Sequence, residues 1–337
     1  FLEETATQDD LLGRASLIAH EVAHMWFGDL VTMTWFDDVW MKEVFANFVA
    51  AKIVNPSFPD VRHDLRFFLE HYPSAYAIDR SSGTHPIRQE LPNVREAASL
   101  YGAIIYQKAP IVMQQLEALV GAENFRAGVK EYLEEYQFGN ASWPDLVRIL
   151  DRHSKEDIQG WSHVWVEEEG RPTVSLDIEA GNDGTISQMT LKQRDPLGRG
   201  RTWLQPMSVF VGGPGGGEYF PTWTRGATSE INVASGRRNN GVVLVNGKGQ
   251  GYALTVLDSN SQGFLLRELP RFEEPMIRAV GLVSLWEGLL EGFVTPADFM
   301  NLGLRLLAVE PNELVLQRLL AYLEETYWRF LEEGTKE

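Results

Sequence analysis

The chain has 337 residues, enough for two or three domains, and its 44% hydrophobic content supplies ample material for cores, so a globular protein is expected. Acidic residues outnumber basic ones 47 to 30, a net charge of −17, which argues against nucleic acid or an anionic membrane as the main partner because both demand basic patches. There is no cysteine, so disulfides and thiolate metal sites are excluded while the redox compartment stays open, and no apolar window reaches the roughly eighteen residues of a membrane span.

The chain opens on Phe1 rather than Met, with no visible signal peptide. FLEETATQDDLLGRAS reads as a strand end or loop running into a helix, with Asp9 or Asp10 as its cap and Leu11 and Leu12 starting an apolar face. Leu17, Ile18, Val22, Met25 and Trp26 continue that face near helical spacing, with no proline to interrupt. Within the helix lies His-Glu-x-x-His. His20 and His24 are one turn apart on the same face, so both imidazoles can reach one ion, and Zn²⁺ accepts nitrogen ligands readily. Glu21 stands beside the first of them, where a carboxylate can take a proton from water. The alternative is a pair of histidines that bind no metal. A second helix is expected from Val39 to Asn55, with Trp40, Val44, Phe45, Phe48, Val49 and Ile53 as its apolar stripe and Pro56 marking its end. Glu43 inside it is a candidate third ligand; in isolation it reads equally well as a salt-bridged surface glutamate.

Residues 56 to 99 combine a helical stretch, DVRHDLRFFLEHY, with loops. His63, His71 and His85 have no metal-ligand spacing to one another. Helical periodicity is clear from Ile111 to Leu119, with Pro110 in the first turn. Tyr101 and Tyr106 precede it and on pattern alone read as core aromatics. Three helices follow up to Glu169, the second opened by a capping box at Ser142, and Trp161 and Trp165 are expected in the core. His153 and His163 read as structural. Between Arg171 and Asp258 short alternating runs separated by Gly, Asn, Asp and Pro predict an antiparallel β-sandwich. GGPGGG at 212–217 lacks the Lys-Ser/Thr and following helix of a phosphate loop and reads as a hairpin turn, as does Asn246-Gly247. From Ser259 onward amphipathic helices return.

One stretch decides among these alternatives. HEVAHMWFGDLVTMTWFDDVWMKEVFANF places eighteen residues between His24 and Glu43. It resembles the zinc signature of the aminopeptidase N family, the gluzincin aminopeptidases, together with that family's Trp-Phe-Gly-Asn-Leu-Val-Thr, Trp-x-Asp-x-Trp and Asn-Glu-Gly-Phe-Ala blocks. The resemblance implies that His20, His24 and Glu43 bind Zn²⁺ and that Glu21 is the general base. Asp29, Lys42 and Val44 depart from the usual Asn, Asn and Gly without removing a ligand. Tyr-Gln-Lys-Ala at 106–109 resembles the family's Tyr-x-Lys-Gly motif, whose tyrosine stabilises the tetrahedral intermediate, so the same role is implied for Tyr106. Tyr101 stands where some members carry a second active-site tyrosine. Asp38 and Asn47 are candidate acceptors for the ligands' remaining N–H groups.

By resemblance, 1–170 is the helical part of a thermolysin-like zinc peptidase domain, 171–258 a β-sandwich domain, and 259–337 the start of a C-terminal α-helical repeat domain. The substrates implied are peptides, cleaved at the N-terminal residue. The family's Gly-Ala-Met-Glu-Asn motif, whose glutamate binds the substrate α-amine, is not found. The chain is therefore expected to begin after that motif, and its C-terminal helical part is shorter than the family's, so truncation at both ends is expected. That leaves two rivals to an aminopeptidase core: a zinc-binding piece with little exopeptidase activity, and a non-catalytic scaffold. An unpaired terminal repeat would expose apolar surface and could promote oligomerisation.

Overall fold

The structure is a computed structural model and describes residues 3–93, 95, 102–232, 241–332 and 334; Tyr101 lies outside them. Two compact units divide the chain, one of Phe1–Asp64 with Glu70–Gly170, the other of Leu65–Leu69 with Arg171–Glu337. Among the described residues there are eleven α-helices and nine strands, and no helix is long and apolar enough to cross a membrane.

The first unit is mainly helical. Its elements are α1 (Gln8–Ala23), β1 (Val31–Met33), α2 (Val39–Val54), α3 (His63–Asp79, apart from its Leu65–Leu69), α4 (Ala109–Val120), α5 (Ala122–Tyr136), β2 (Gly139–Ala141), α6 (Trp143–Arg152) and α7 (Ile158–Val166). Thr7, not Asp9 or Asp10, caps α1. Asp10 sits three residues inside and closes a capping box, with its amide donating to Thr7 Oγ1 (3.1 Å) and its carboxylate accepting from the Thr7 amide (2.9 Å). The expected box at Ser142 forms with Asp145. Aromatic stacking builds the core: Phe45 of α2 lies between Phe27 (centroids 4.7 Å) and Phe125 of α5 (6.4 Å), and Trp40 meets Trp143 at 4.8 Å. Trp143 is fully buried, its indole N–H donating to Ser162 Oγ at 2.7 Å, and truncation there would cost roughly 3–5 kcal/mol. The apolar stripe of α1 behaves differently: Leu17, Ile18 and Met25 are each about 60% exposed, and its buried residues are Leu12 and Ala23.

Helix α3 runs past the expected end at Tyr72, through Pro73, to Asp79. Proline has no N–H for the Leu69 carbonyl one turn back. Arg318 supplies the missing donor, its Nη2 lying 2.8 Å from the Leu69 oxygen.

In the second unit, strands β3 (Thr173–Ala180), β4 (Ile186–Arg194), β7 (Thr228–Ile231) and β9 (Leu254–Val256) form one sheet in the order β7-β4-β3-β9. Strands β5 (Gln205–Gly213), β6 (Gly216–Thr224) and β8 (Val242–Val245) form another in the order β6-β5-β8. Val174, Met189 and Leu191 from the first join Met207, Val209 and Val245 from the second in one buried apolar cluster, as a sandwich requires. One pairing differs from the antiparallel expectation: β3 and β9 run parallel, joined by a long crossover rather than a hairpin that would dictate direction. The glycine run makes the β5–β6 hairpin, with Gly216 at φ +109° in the turn and the ring of Phe210 in the space a Gly217 side chain would need. Asn246-Gly247 is a turn but not a hairpin, because β8 and β9 belong to different sheets. Asn246 adopts φ +62° and its amide spans the turn to Gly251 at 2.7 Å in both directions. Four helices complete this unit: α8 (Ser259–Glu268), α9 (Pro275–Leu290), α10 (Pro296–Leu307) and α11 (Glu313–Glu325). α9 is buried almost all round; its Trp286 stacks on Tyr322 of α11 at 4.3 Å, and its Arg278 makes two bonds to Glu310 (2.6 and 2.7 Å).

Candidate metal centre

Helices α1 and α2 bring the three candidate ligands together. The Nε2 atoms of His20 and His24 lie 3.0 Å apart, and Glu43 Oε2 lies 3.5 Å from the first and 3.9 Å from the second. Among the described residues this is the one group of three or more such side chains able to hold a metal ion.

What surrounds the candidate ligands orients their rings. His20 Nδ1 is 2.9 Å from Asn47 Oδ1, and His24 Nδ1 is 3.0 Å from the Phe27 carbonyl. A carbonyl can only accept, so both Nδ1 atoms carry a hydrogen, and in the neutral imidazoles both Nε2 atoms present lone pairs. Two lone pairs facing each other at 3.0 Å, with a carboxylate oxygen on their third side, repel unless a cation sits among them. Tetrahedral ligands about 2.0–2.1 Å from zinc stand about 3.3–3.4 Å apart. The donor set fits that ion.

The local fold explains the convergence. After α1 the chain reverses through Gly28 at φ +135°, a conformation that favours glycine and where a Cβ would lie in van der Waals contact with His24 (3.4 Å from its oxygen, 3.6 Å from Nδ1). That reversal turns the Phe27 carbonyl back onto the second histidine and stacks the Phe27 ring on Phe45 of α2. Glu43 lies one turn before Asn47, so a single face of α2 presents both the carboxylate and the acceptor for His20.

Asp38 has a different place from the expected one. Its carboxylate accepts from Arg88 Nε (2.7 Å) and from the Trp143 amide (3.2 Å), which fixes the start of α2. It precedes the first turn of that helix and does not share the face of Glu43. Burial pushes the Asp38 carboxyl up, against the pull of the Arg88 guanidinium. Neither Arg88 nor the Phe27 carbonyl was legible as part of this region. Arg88 is 50 residues from Asp38, and a backbone oxygen leaves no mark in residue identity. Lys42, one of the departures from the family pattern, places its ammonium 3.4 Å from Glu43 Oε1.

Glu21 is solvent-exposed on α1 between the two histidines. Tyr106 lies in a single π-helical turn, Ile104–Lys108, and is 36% exposed while Ile104, Ile105 and Lys108 on the same turn are buried. The remaining histidines hold structure: His63 bonds the Phe58 carbonyl (2.9 Å), His85 the Pro86 carbonyl (2.8 Å), and His153 the Glu131 carboxylate (2.6 Å).

A family model described as the peptidase family M1 domain matches residues 1–165. Aminopeptidase N of Streptomyces lividans is 31% identical over 325 residues, covering 91% of this chain and 37% of that protein. The probable aminopeptidase 1 of Saccharolobus solfataricus is 28% identical over 318 residues, 94% of this chain and 38% of the relative. Aminopeptidase M1-A of rice (Oryza sativa subsp. japonica) is 34% identical over 199 residues, 58% of this chain and 22% of the relative. The chain thus spans well under half the length of these relatives. It belongs to peptidase family M1, the aminopeptidase N family.

Proposed function

We propose that this chain is the zinc-binding core of a metallo-aminopeptidase that releases N-terminal residues from peptides. One observation carries the reading: two histidine lone pairs and a glutamate oxygen converge on one point, each imidazole oriented by an acceptor on its other nitrogen. In this reading His20, His24 and Glu43 hold the ion. When bound, zinc supplies Lewis-acid chemistry, polarising the scissile carbonyl and a water. Glu21 accepts a proton from the attacking water as its oxygen bonds to the carbonyl carbon, then delivers that proton to the leaving amine as the carbon–nitrogen bond breaks. The Tyr106 hydroxyl donates a hydrogen bond to the oxyanion that develops between those steps. Glu21 is exposed, which supports its role because a proton carrier must meet both water and substrate. The same reading makes 1–170 a thermolysin-like peptidase domain, 171–258 a β-sandwich domain and 259–337 a helical domain. The partners are peptides.

The test is elemental analysis together with hydrolysis of alanyl and leucyl amides, with Glu21→Gln as control. We expect one zinc per chain in both proteins and amide hydrolysis that falls roughly 10²–10⁴-fold in Glu21→Gln. A chain that takes up no zinc would sink the ligand assignment. Zinc uptake with no turnover would place this protein among metal-binding pieces rather than active cores.

A further inference from the structure

A buried charge lies two residues beyond Tyr106. Lys108 and Asp79 have side chains 1% and 0% exposed, and their Nζ and Oδ2 atoms are 2.8 Å apart. The ammonium donates also to the Gly170 carbonyl at 2.8 Å, and the second carboxylate oxygen accepts from Thr84 Oγ1 at 2.8 Å. One cation thereby ties together the π-helical turn, the last residue of α3 and the chain leaving α7. Such a pair is a poor means of gaining stability, because the desolvation of two charges consumes most of their attraction and apolar residues of equal volume hold a core as well. What it does supply is a tether: its two acceptors, Asp79 and the Gly170 carbonyl, belong to segments far from the turn in sequence, and the buried ammonium holds the turn against both.

The turn it holds needs fixing. A π-helical turn is rare and recurs where backbone geometry serves a site. Tyr106 is 36% exposed on this turn, so the place of its hydroxyl depends on where the backbone of the turn is held. Ile104, Ile105 and Lys108 form the buried side of the same turn. His71 of α3 meets the turn as well, against the Tyr106 backbone and the Gln107 side chain. We propose that Lys108, bridging Asp79 and the Gly170 carbonyl, is a positioning residue that holds the Tyr106 hydroxyl in place for an oxyanion. The proposal rests on the reading of Tyr106 given above.

The test is a double-mutant cycle on the zinc-loaded chain, read by the Kd of a phosphinic dipeptide that mimics the tetrahedral intermediate and so needs no turnover. Lys108→Met alone strands a buried carboxylate and endangers folding, so it is paired with Asp79→Asn; Lys108→Arg serves as the conservative variant. Tyr106→Phe is expected to weaken the phosphinate about 10²-fold, on the scale of losing one oxyanion donor. The Lys108→Met/Asp79→Asn protein should lose about tenfold with Tyr106 present and less than about twofold with Phe at 106, since its effect passes through the hydroxyl. Amide exchange across 104–110 should quicken in the same variant, and Lys108→Arg should restore part of the affinity. Equal losses in both backgrounds, or exchange unchanged, would overturn the proposal while leaving Tyr106 its role. A Tyr106→Phe protein that binds normally, or an unmodified chain that fails to bind the phosphinate, would overturn the underlying reading and the proposal with it.

Discussion

Asn47 offers the sharpest probe of the metal centre. Its Oδ1 accepts the His20 Nδ1 hydrogen at 2.9 Å, whereas His24 is held by the Phe27 backbone, which no side-chain change removes. Removing the partner of a ligating histidine costs 10–100-fold in metal affinity, or about 1.4–2.7 kcal/mol. Asn47 is solvent-exposed, so in Asn47→Ala a water can take over part of its bond. The loss should therefore fall near the lower end, about tenfold. Asn47→Asp should move the other way, since a carboxylate acceptor makes the imidazole a better donor. The assay is competition for zinc against a chromophoric chelator at constant pH, with thermal melting of the metal-free proteins beside it. Affinities within twofold across Ala, Asn and Asp would refute the idea that this bond orients a ligand. So would a metal-free Asn47→Ala protein several degrees less stable than its parent, because Asn47 would then be serving the fold.

Gly28→Ala places a side chain at φ +135° against the His24 backbone oxygen, and should cost about 1–3 kcal/mol and weaken zinc binding together, checked by urea unfolding and the same competition. Arg278→Met leaves Glu310 buried with its carboxylate stripped of both guanidinium bonds, an expected loss of about 3–5 kcal/mol; Arg278→Met/Glu310→Leu should recover most of it, read from denaturant midpoints. For Asp195, burial pushes the carboxyl up, but the Arg201 guanidinium and the Leu197 and Arg201 amides outweigh it and bring it to about 2 from 3.8. A depressed carboxyl stabilises the fold above its unfolded pKa. Roughly 2 kcal/mol should thus be present at pH 5 and disappear as pH falls from 4 to 2, and Asp195→Asn should abolish that part of the pH dependence in urea titrations.

The cluster of candidate ligands was legible because its information is local. His20 and His24 are four residues apart on a helix, Glu43 sits on the next one, and helical periodicity needs no distant partner to be read. The seven strand segments of the second unit were legible for the same reason, each alternating within its own few residues. What escaped was pairing at a distance. Asp38 looked like a neighbour of the histidines because it is near them in sequence, yet its partners come from positions 88 and 143. The parallel β3–β9 pair depends on a crossover whose direction no local pattern encodes. The cap of α1 was misplaced by a few residues because Thr7 and Asp10 act as a pair, and reading either alone favours the acid. The exposed stripe of α1 shows that periodicity establishes a helix without saying which face is covered.

Pro73 has a consequence for the order in which the chain can be completed. The carbonyl it leaves open on Leu69 is met by an arginine 249 residues further on. During synthesis at about 5–20 residues per second, at least ten seconds pass between the emergence of the proline and that of its remedy. Through that interval the middle of α3 must rely on water for its missing bond. The segment Leu65–Leu69 is counted in the same compact unit as Arg171–Glu337, so that unit is discontinuous along the chain. A nascent chain that has emerged only as far as Gly170 holds five residues of a unit whose remainder is still to be made. Cutting between Gly170 and Arg171 would likewise leave the second unit short of Leu65–Leu69.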